Sequence, residues 1–206
     1  MHLYWHGQTC VKIQDNGTTI TIDPYKLKSA RSPRMAADIL LLTSSDFEEA
    51  SSSISGDKFV VDSPGEYEVK GIFINGINGN GDNGSNQIFY YLDINGITVA
   101  HLGRIKKGEL TPKQLEMIEN VDILIIPVGG DDSVGAKDAA ALVSQIEPKL
   151  IVPVYYHVPK LKVKLDTIDA FQKQMGIKTE TMDKLLLKQK DIPQDELRMI
   201  ILTPQI

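Results

Sequence analysis

Val11-Lys12-Ile13-Gln14-Asp15-Asn16-Gly17-Thr18-Thr19-Ile20-Thr21-Ile22 alternates apolar and polar residues on both sides of an Asn-Gly pair. A period of two is the signature of a half-buried strand. Asn-Gly accepts the positive φ angles of a type I′ turn, so the stretch predicts a β-hairpin. The device recurs in Tyr90-Tyr91-Leu92-Asp93-Ile94, Asn95-Gly96 and Ile97-Thr98-Val99-Ala100. Each hairpin is followed by a continuous apolar strand, Ala37-Asp38-Ile39-Leu40-Leu41-Leu42 and then Val121-Asp122-Ile123-Leu124-Ile125-Ile126. A second strand opening with Lys follows each of these, Lys58-Phe59-Val60-Val61 and Lys149-Leu150-Ile151-Val152. The order hairpin, buried strand, buried strand therefore occurs twice. It divides one domain, residues 1–206, into similar halves of about 1–100 and 101–206.

Helices are expected between the strands. Thr111-Pro112-Lys113-Gln114 is a capping box with Pro at the first helical position, opening a helix to about Asn120. Ala136 to Ile146 places Ala139, Leu142, Val143 and Ile146 on one face, with Pro148 beyond it. Leu165 to Met175 repeats the pattern and ends at Gly176, while Phe47 to Ile54 is a weaker helix in a serine run. Helices between continuous apolar strands imply β-α-β crossovers and sheets covered by helices. The expected fold is an α/β protein, a four-layer αββα sandwich. Asn75 to Asn86, rich in Gly and Asn, is read as a mobile surface loop. Asp183 to Ile206 is read as a strand, a loop at Pro193 and a terminal strand over Leu197–Leu202.

Composition narrows the function. The net charge of −5 argues against a nucleic-acid surface, which needs basic side chains to neutralise phosphate. The single Cys10 excludes an intramolecular disulfide and any thiolate zinc cluster. Ile39–Leu42 and Ile123–Val128, the longest apolar runs, are far shorter than the roughly 20 residues of a membrane span. The N-terminus does not read as a signal peptide, so the expected compartment is the cytoplasm. Only four His are present, few for a protein that binds metal through imidazole.

Ligands of open α/β sheets sit beyond the carboxyl ends of the strands. Those ends carry Asp23, then Ser44 and Asp46 with Glu48 and Glu49, then Asp62 and Glu66. In the second half they carry His101 and Arg104, Asp131 and Asp132, and Tyr155 and His157. Asp46, Glu48, Glu49 and His101 together would suit a harder metal such as manganese better than zinc. Glu48 and Glu49 also read simply as acids favoured by a helix N-terminus, and His101 as a hydrogen-bonded half-buried side chain. His157 reads as a loop residue, and His2 and His6 as structural. Cys10 has no feature that would lower its pKa, and Gly129-Gly130 is a poor anion site beside Asp131 and Asp132.

The same strand ends carry a family resemblance. Trp5-His6-Gly7-Gln8, Ile22-Asp23-Pro24-Tyr25, Ala37 to Thr43, Ser63-Pro64-Gly65-Glu66-Tyr67-Glu68-Val69, Ala100-His101-Leu102-Gly103, Pro127-Val128-Gly129-Gly130 and Ile146-Glu147-Pro148-Lys149 are in order along the chain. In these stretches the sequence resembles the metallo-β-lactamase superfamily, in the zinc-dependent hydrolase branch close to L-ascorbate-6-phosphate lactonase. The resemblance implies the αββα fold and a dinuclear zinc site. The superfamily's T-H-x-H-x-D-H segment falls on Thr43 to Glu49, with Ser44, Asp46 and Glu49 in place of histidines and Glu48 in place of aspartate. The bridging aspartate of H-L-G-D falls on Arg104, and the histidine of P-M-H-Y on Tyr155. The expectation is a hydrolase-like protein without the zinc site and without a cofactor, serving as a binding or assembly module for a small molecule or protein. The alternative is a metal-dependent hydrolase of a small ester, lactone or phosphoester. It would use zinc or manganese at Asp46, Glu48, Glu49 and His101. Oligomeric state is not readable at this level.

Overall fold

The computed structural model describes residues 1–25, 35–79, 87–159, 161 and 163–206. Six strands form one sheet and eight form the other. In the first, β1 (His2–Trp5), β2 (Val11–Asp15) and β3 (Thr18–Ile22) run antiparallel, and β4 (Ile39–Leu41) and β5 (Phe59–Val61) continue parallel to β3. The second sheet opens with β6 (Gly65–Val69), β7 (Ile72–Gly79), β8 (Gln87–Ile94) and β9 (Ile97–His101), all antiparallel. It continues parallel through β10 (Ile123–Pro127), β11 (Leu150–Val154), β14 (Arg198–Leu202) and β12 (Thr179–Met182). The short β13 (Leu185–Leu186) returns to the first sheet beside β1. Both hairpins fold on their Asn-Gly pairs, with Asn16, Gly17, Asn95 and Gly96 all at positive φ. Each hairpin leads into two parallel strands, which is the metallo-β-lactamase fold of two mixed sheets with helices.

The helices are α1 (Glu48–Ser51), α2 (Pro112–Ile118), α3 (Ala136–Ile146) and α4 (Ile168–Met175). The capping box of α2 is formed in both directions between Thr111 and Gln114. α3 buries Ala139, Leu142, Val143 and Ile146, the face expected from their spacing. α4 starts three residues later than its periodicity suggests. Asp166 holds that stretch extended, its N–H donating to Gly129 O and its carbonyl accepting from the His157 N–H. Among the described residues, no helix is long and apolar enough to cross a membrane.

Two further expectations change. Asn75 to Gly79 is strand, paired with β8 from Phe73–Asp93 to Gly79–Gln87. Glycine serves close packing there, because a Cβ on Gly76 would lie 2.8 Å from Ser63 O. The rest of that expected loop, 80–86, lies outside the described residues. The exchange of sheets falls between Val61 and Gly65, well before residue 100. The second half needs a β-hairpin of β6 and β7 to widen its sheet, and nothing in their Glu- and Asn-rich sequences announces a partner.

The core lies between the sheets. Trp5 is fully buried against Tyr156, ring centroids 4.7 Å apart, and every residue of β10 and β11 is buried. A second cluster on the outer face of the first sheet joins Cys10, Met35, Ala37, Leu40, Leu42, Phe47 and Ile54. Polar groups pin the two sheets at the edge of this core. The buried Tyr90 hydroxyl on β8 lies 2.8 Å from both Leu42 O and Val61 O, at the ends of β4 and β5. Tyr90→Phe leaves the ring in place and deprives those carbonyls of their shared donor. It should cost about 1–2 kcal/mol, measurable as a lower urea midpoint with unchanged slope.

Candidate functional site

Three turns at the carboxyl ends of β4, β9 and β10 meet in one cleft. Thr43, Ser44 and Asp46 come from the first, Arg104 and Lys106 from the second, and Asp132 from the third, with Gln87 at the start of β8. The Ile88 N–H donates to Thr43 O at 2.8 Å, which ties the first sheet's strand ends to the second sheet. Gly103, at positive φ, lets the β9 turn press against Thr43, since a Cβ there would lie 2.7 Å from Thr43 Cβ.

Arg104 is the centre of the cleft. Its guanidinium donates through Nη1 to Asp132 Oδ2 at 2.5 Å and through Nη2 to Asp46. It also lies over the Phe47 ring, 5.1 Å from the centroid. Burial opposes its charge, and Asp132 and Asp46 outweigh that opposition to raise its pKa. Tyr155, at positive φ just past β11, donates its hydroxyl to the other oxygen of Asp132 at 2.5 Å. Asp132 is thus held from two sides. Although it stands at a strand end, its place in the cleft depends on the turn of the Gly130–Val134 loop, where Gly130 N–H donates to Val134 O.

Beneath the cleft lies Asp23, fully buried at the end of β3. Its carboxyl accepts from Thr43 N–H at 2.8 Å and from Thr43 Oγ1 at 2.7 Å. Burial raises its pKa to about 7, although the Thr43 bonds and the Arg104 charge both pull it down. His101 is also fully buried. Its Nδ1 accepts from Gly103 N–H at 3.1 Å, so the proton sits on Nε2 and is donated to Thr9 O at 3.0 Å. Burial lowers its pKa to about 4, and both ring nitrogens are used within the fold. Burial also raises the Cys10 thiol, in keeping with an inert side chain.

The cleft thus gathers Ser44, Asp46 and Arg104 of the expected residues, with Tyr155 buried behind Asp132 and with Asp23 and His101 packed beneath the strand ends. Glu48 and Glu49 lie exposed in the first turn of α1. Asp62 and His157 are exposed outside the cleft, and Glu66 faces a different groove beside Asn75 and Lys113. Gln87, largely buried, belongs to the cleft without having been expected there, and Asp132, expected at a strand end only as a repulsive neighbour, is one of its members. Set against a dinuclear zinc centre, these residues do not fit. A guanidinium stands between Asp46 and Asp132, and both nitrogens of His101 are engaged. Among the described residues, no three or more His, Cys, Asp or Glu side chains are gathered into a metal-binding cluster.

The family model of the beta-lactamase superfamily domain matches residues 2–155. A UPF0173 protein of Pyrococcus furiosus is 27% identical over 76% of this chain and 83% of its own. A UPF0173 metal-dependent hydrolase of Lysinibacillus sphaericus is 28% identical over 76% of this chain and 86% of its own. Among solved structures, a candidate Zn-dependent hydrolase of the metallo-β-lactamase superfamily from Thermotoga maritima superposes with a TM-score of 0.86. The two are 30% identical and aligned over 99% of each chain. A metallo hydrolase of Ignicoccus hospitalis, 14% identical over 85% of this chain and 90% of its own, shares the fold with a TM-score of 0.62.

Two predictions come from the cleft. An unfolded Asp23 carboxyl ionises near 3.8. Between pH of about 4 and 7 the folded state therefore holds the extra proton, and this group's contribution to stability is lost as pH rises. His101 acts oppositely, its contribution being lost as pH falls from about 6.5 to 4. Asp23→Asn removes only the first effect. Urea denaturation across pH should show its stability relative to wild type climbing from pH 4 to 7 and levelling above. A flat difference would mean that burial does not hinder ionisation at Asp23. Arg104→Ala should cost about 1–2 kcal/mol, a modest loss because Asp46 is largely exposed. The same urea titration at neutral pH reads it.

Proposed function

Since this chain belongs to the metallo-β-lactamase superfamily, we propose that it is a zinc-hydrolase-like protein in which an arginine has taken the place of the metal charge. In this reading it is a non-catalytic binding or assembly module of the cytoplasm. The observation that carries the proposal is Arg104, paired with Asp46 and Asp132 at the strand ends where the family's pattern expects a bridging aspartate. A superfamily hydrolase needs metal-bound hydroxide at neutral pH, which requires an ion that lowers the pKa of water by coordination. A guanidinium remains protonated and has no coordination site for water, so it neutralises carboxylates without generating that nucleophile. Lys106, the Gln87 amide and the Thr43 and Ser44 side chains line the same cleft and offer polar contacts to a small ligand.

A second reading has the more direct support of the comparisons. The Lysinibacillus sphaericus relative is named a metal-dependent hydrolase and the Thermotoga maritima structure a candidate Zn-dependent one. On that reading Asp46, Glu48, Glu49 and His101 form a carboxylate-rich site for zinc or manganese. The substrate would be a small ester, lactone or phosphoester, as the likeness to L-ascorbate-6-phosphate lactonase suggests. It requires Asp46 to leave Arg104 and His101 to give up a buried hydrogen bond.

Elemental analysis of protein purified without chelators separates the two. The expected result is far less than one metal ion per chain, before and after incubation with zinc or manganese and desalting. Stoichiometric metal would overturn the arginine-for-metal reading and support the hydrolase.

A further inference from the structure

Among the described residues the first sheet has β5 at one edge and the two-residue β13 at the other. Phe59 N–H donates to Asp38 O and Val61 O accepts from Leu42 N–H, each at 2.9 Å, so these two residues direct backbone groups toward β4. By strand alternation, Lys58, Val60 and Asp62 direct theirs outward. No described strand pairs with that side of β5. The edge is also apolar. Phe59 is 47% exposed and Val60 42%, adjacent residues among the most exposed large apolar side chains described. Phe59 leans on Tyr67 of β6, ring centroids 6.2 Å apart, which extends the apolar surface to the rim of the second sheet.

An unprotected apolar edge strand is a template for another strand, and charge usually guards against that. Here the charges are arranged to favour one partner. Lys58-Phe59-Val60-Val61-Asp62 is complementary to itself when read antiparallel. A two-fold axis through Val60 sets Lys58 opposite Asp62 of the second copy, Phe59 opposite Val61, and Val60 opposite Val60. That register pairs the outward-facing residues Lys58, Val60 and Asp62 with one another, so the backbone groups free on one edge meet those free on the other. The Lys58 ammonium makes one bond to Ile54 O at 2.9 Å and retains further donors for the carboxylate. The neighbouring edge, β6, presents Glu66 and Glu68 to solvent and would repel a copy of itself.

We infer that two copies of this chain associate through antiparallel pairing of β5, joining their six-stranded sheets into one continuous sheet. The contact is isologous, since each copy uses the same five residues. It is independent of the cleft and of whether a metal binds there.

Sedimentation velocity on the full chain over a range of concentrations tests this, with circular dichroism and a thermal melt as folding controls. The wild type should sediment as a dimer that dissociates on dilution. Val60→Pro removes an outward N–H, a change an edge strand tolerates, and should give a folded monomer. Lys58→Asp and Asp62→Lys should each weaken the dimer roughly tenfold, because each reverses two symmetry-related charge pairs. The double charge swap should restore the wild-type constant. A wild type that stays monomeric to roughly 100 μM overturns the inference. So does a dimer indifferent to Val60→Pro, or a double swap as weak as its parents.

Discussion

The buried carboxyl of Asp23 holds together the end of the molecule where the cleft lies. It closes β3 and takes both the N–H and the hydroxyl of Thr43, at the end of β4. Thr43 in turn passes the link to the second sheet through its carbonyl, which accepts from Ile88 N–H. The fit leaves no room for a Cβ on Gly103, the residue that turns the chain toward Arg104. His101 adds a parallel tie, from β9 in the second sheet to Thr9 in the turn between β1 and β2 of the first. Burying two titratable groups is costly, and the fold accepts it because their bonds locate the ends of β4 and β9, two of the three that form the cleft.

Above that floor, the cleft has the electrostatics of a neutralised cluster. Asp46 and Asp132 come from different sheets, and bringing them together would be unfavourable without a cation between them. Arg104 supplies it, with the planar fork suited to two carboxylates and with the Phe47 ring beneath. The fold rests on the inter-sheet core and its pins, whereas the charge balance of the cleft is set by a few side chains at the tips of strands.

How much of this was legible in the sequence differs from residue to residue. Asp23 and Tyr155 directly follow β3 and β11, and Asp46 and Arg104 lie in the turns just beyond β4 and β9, so finding the strands found them. Asp62 follows β5 just as directly, His157 lies shortly past β11 and Glu48 and Glu49 open α1, yet the side chains of all four face solvent. Asp132 was visible at its strand end but read only as a repulsive neighbour, because its pairing with Arg104 spans 28 positions in the chain. Gln87 carried no local signal, since a lone glutamine at a strand start becomes a lining residue only through the strand opposite it.

The sequence by itself determined the two Asn-Gly hairpins, the pair of buried strands after each, the buried face of α3 and the family, because these rest on local periodicity, turn chemistry and matched motifs. Tertiary structure alone decided that Asn75–Gly79 is a strand, that the sheets exchange near Val61–Gly65, and that Asp132 joins Asp46 on Arg104. Those outcomes depend on the approach of segments far apart in the chain. A glycine reads as a flexible loop until a neighbouring backbone is seen to need its missing Cβ, and a charge reads as solvated until its partner arrives from the other sheet.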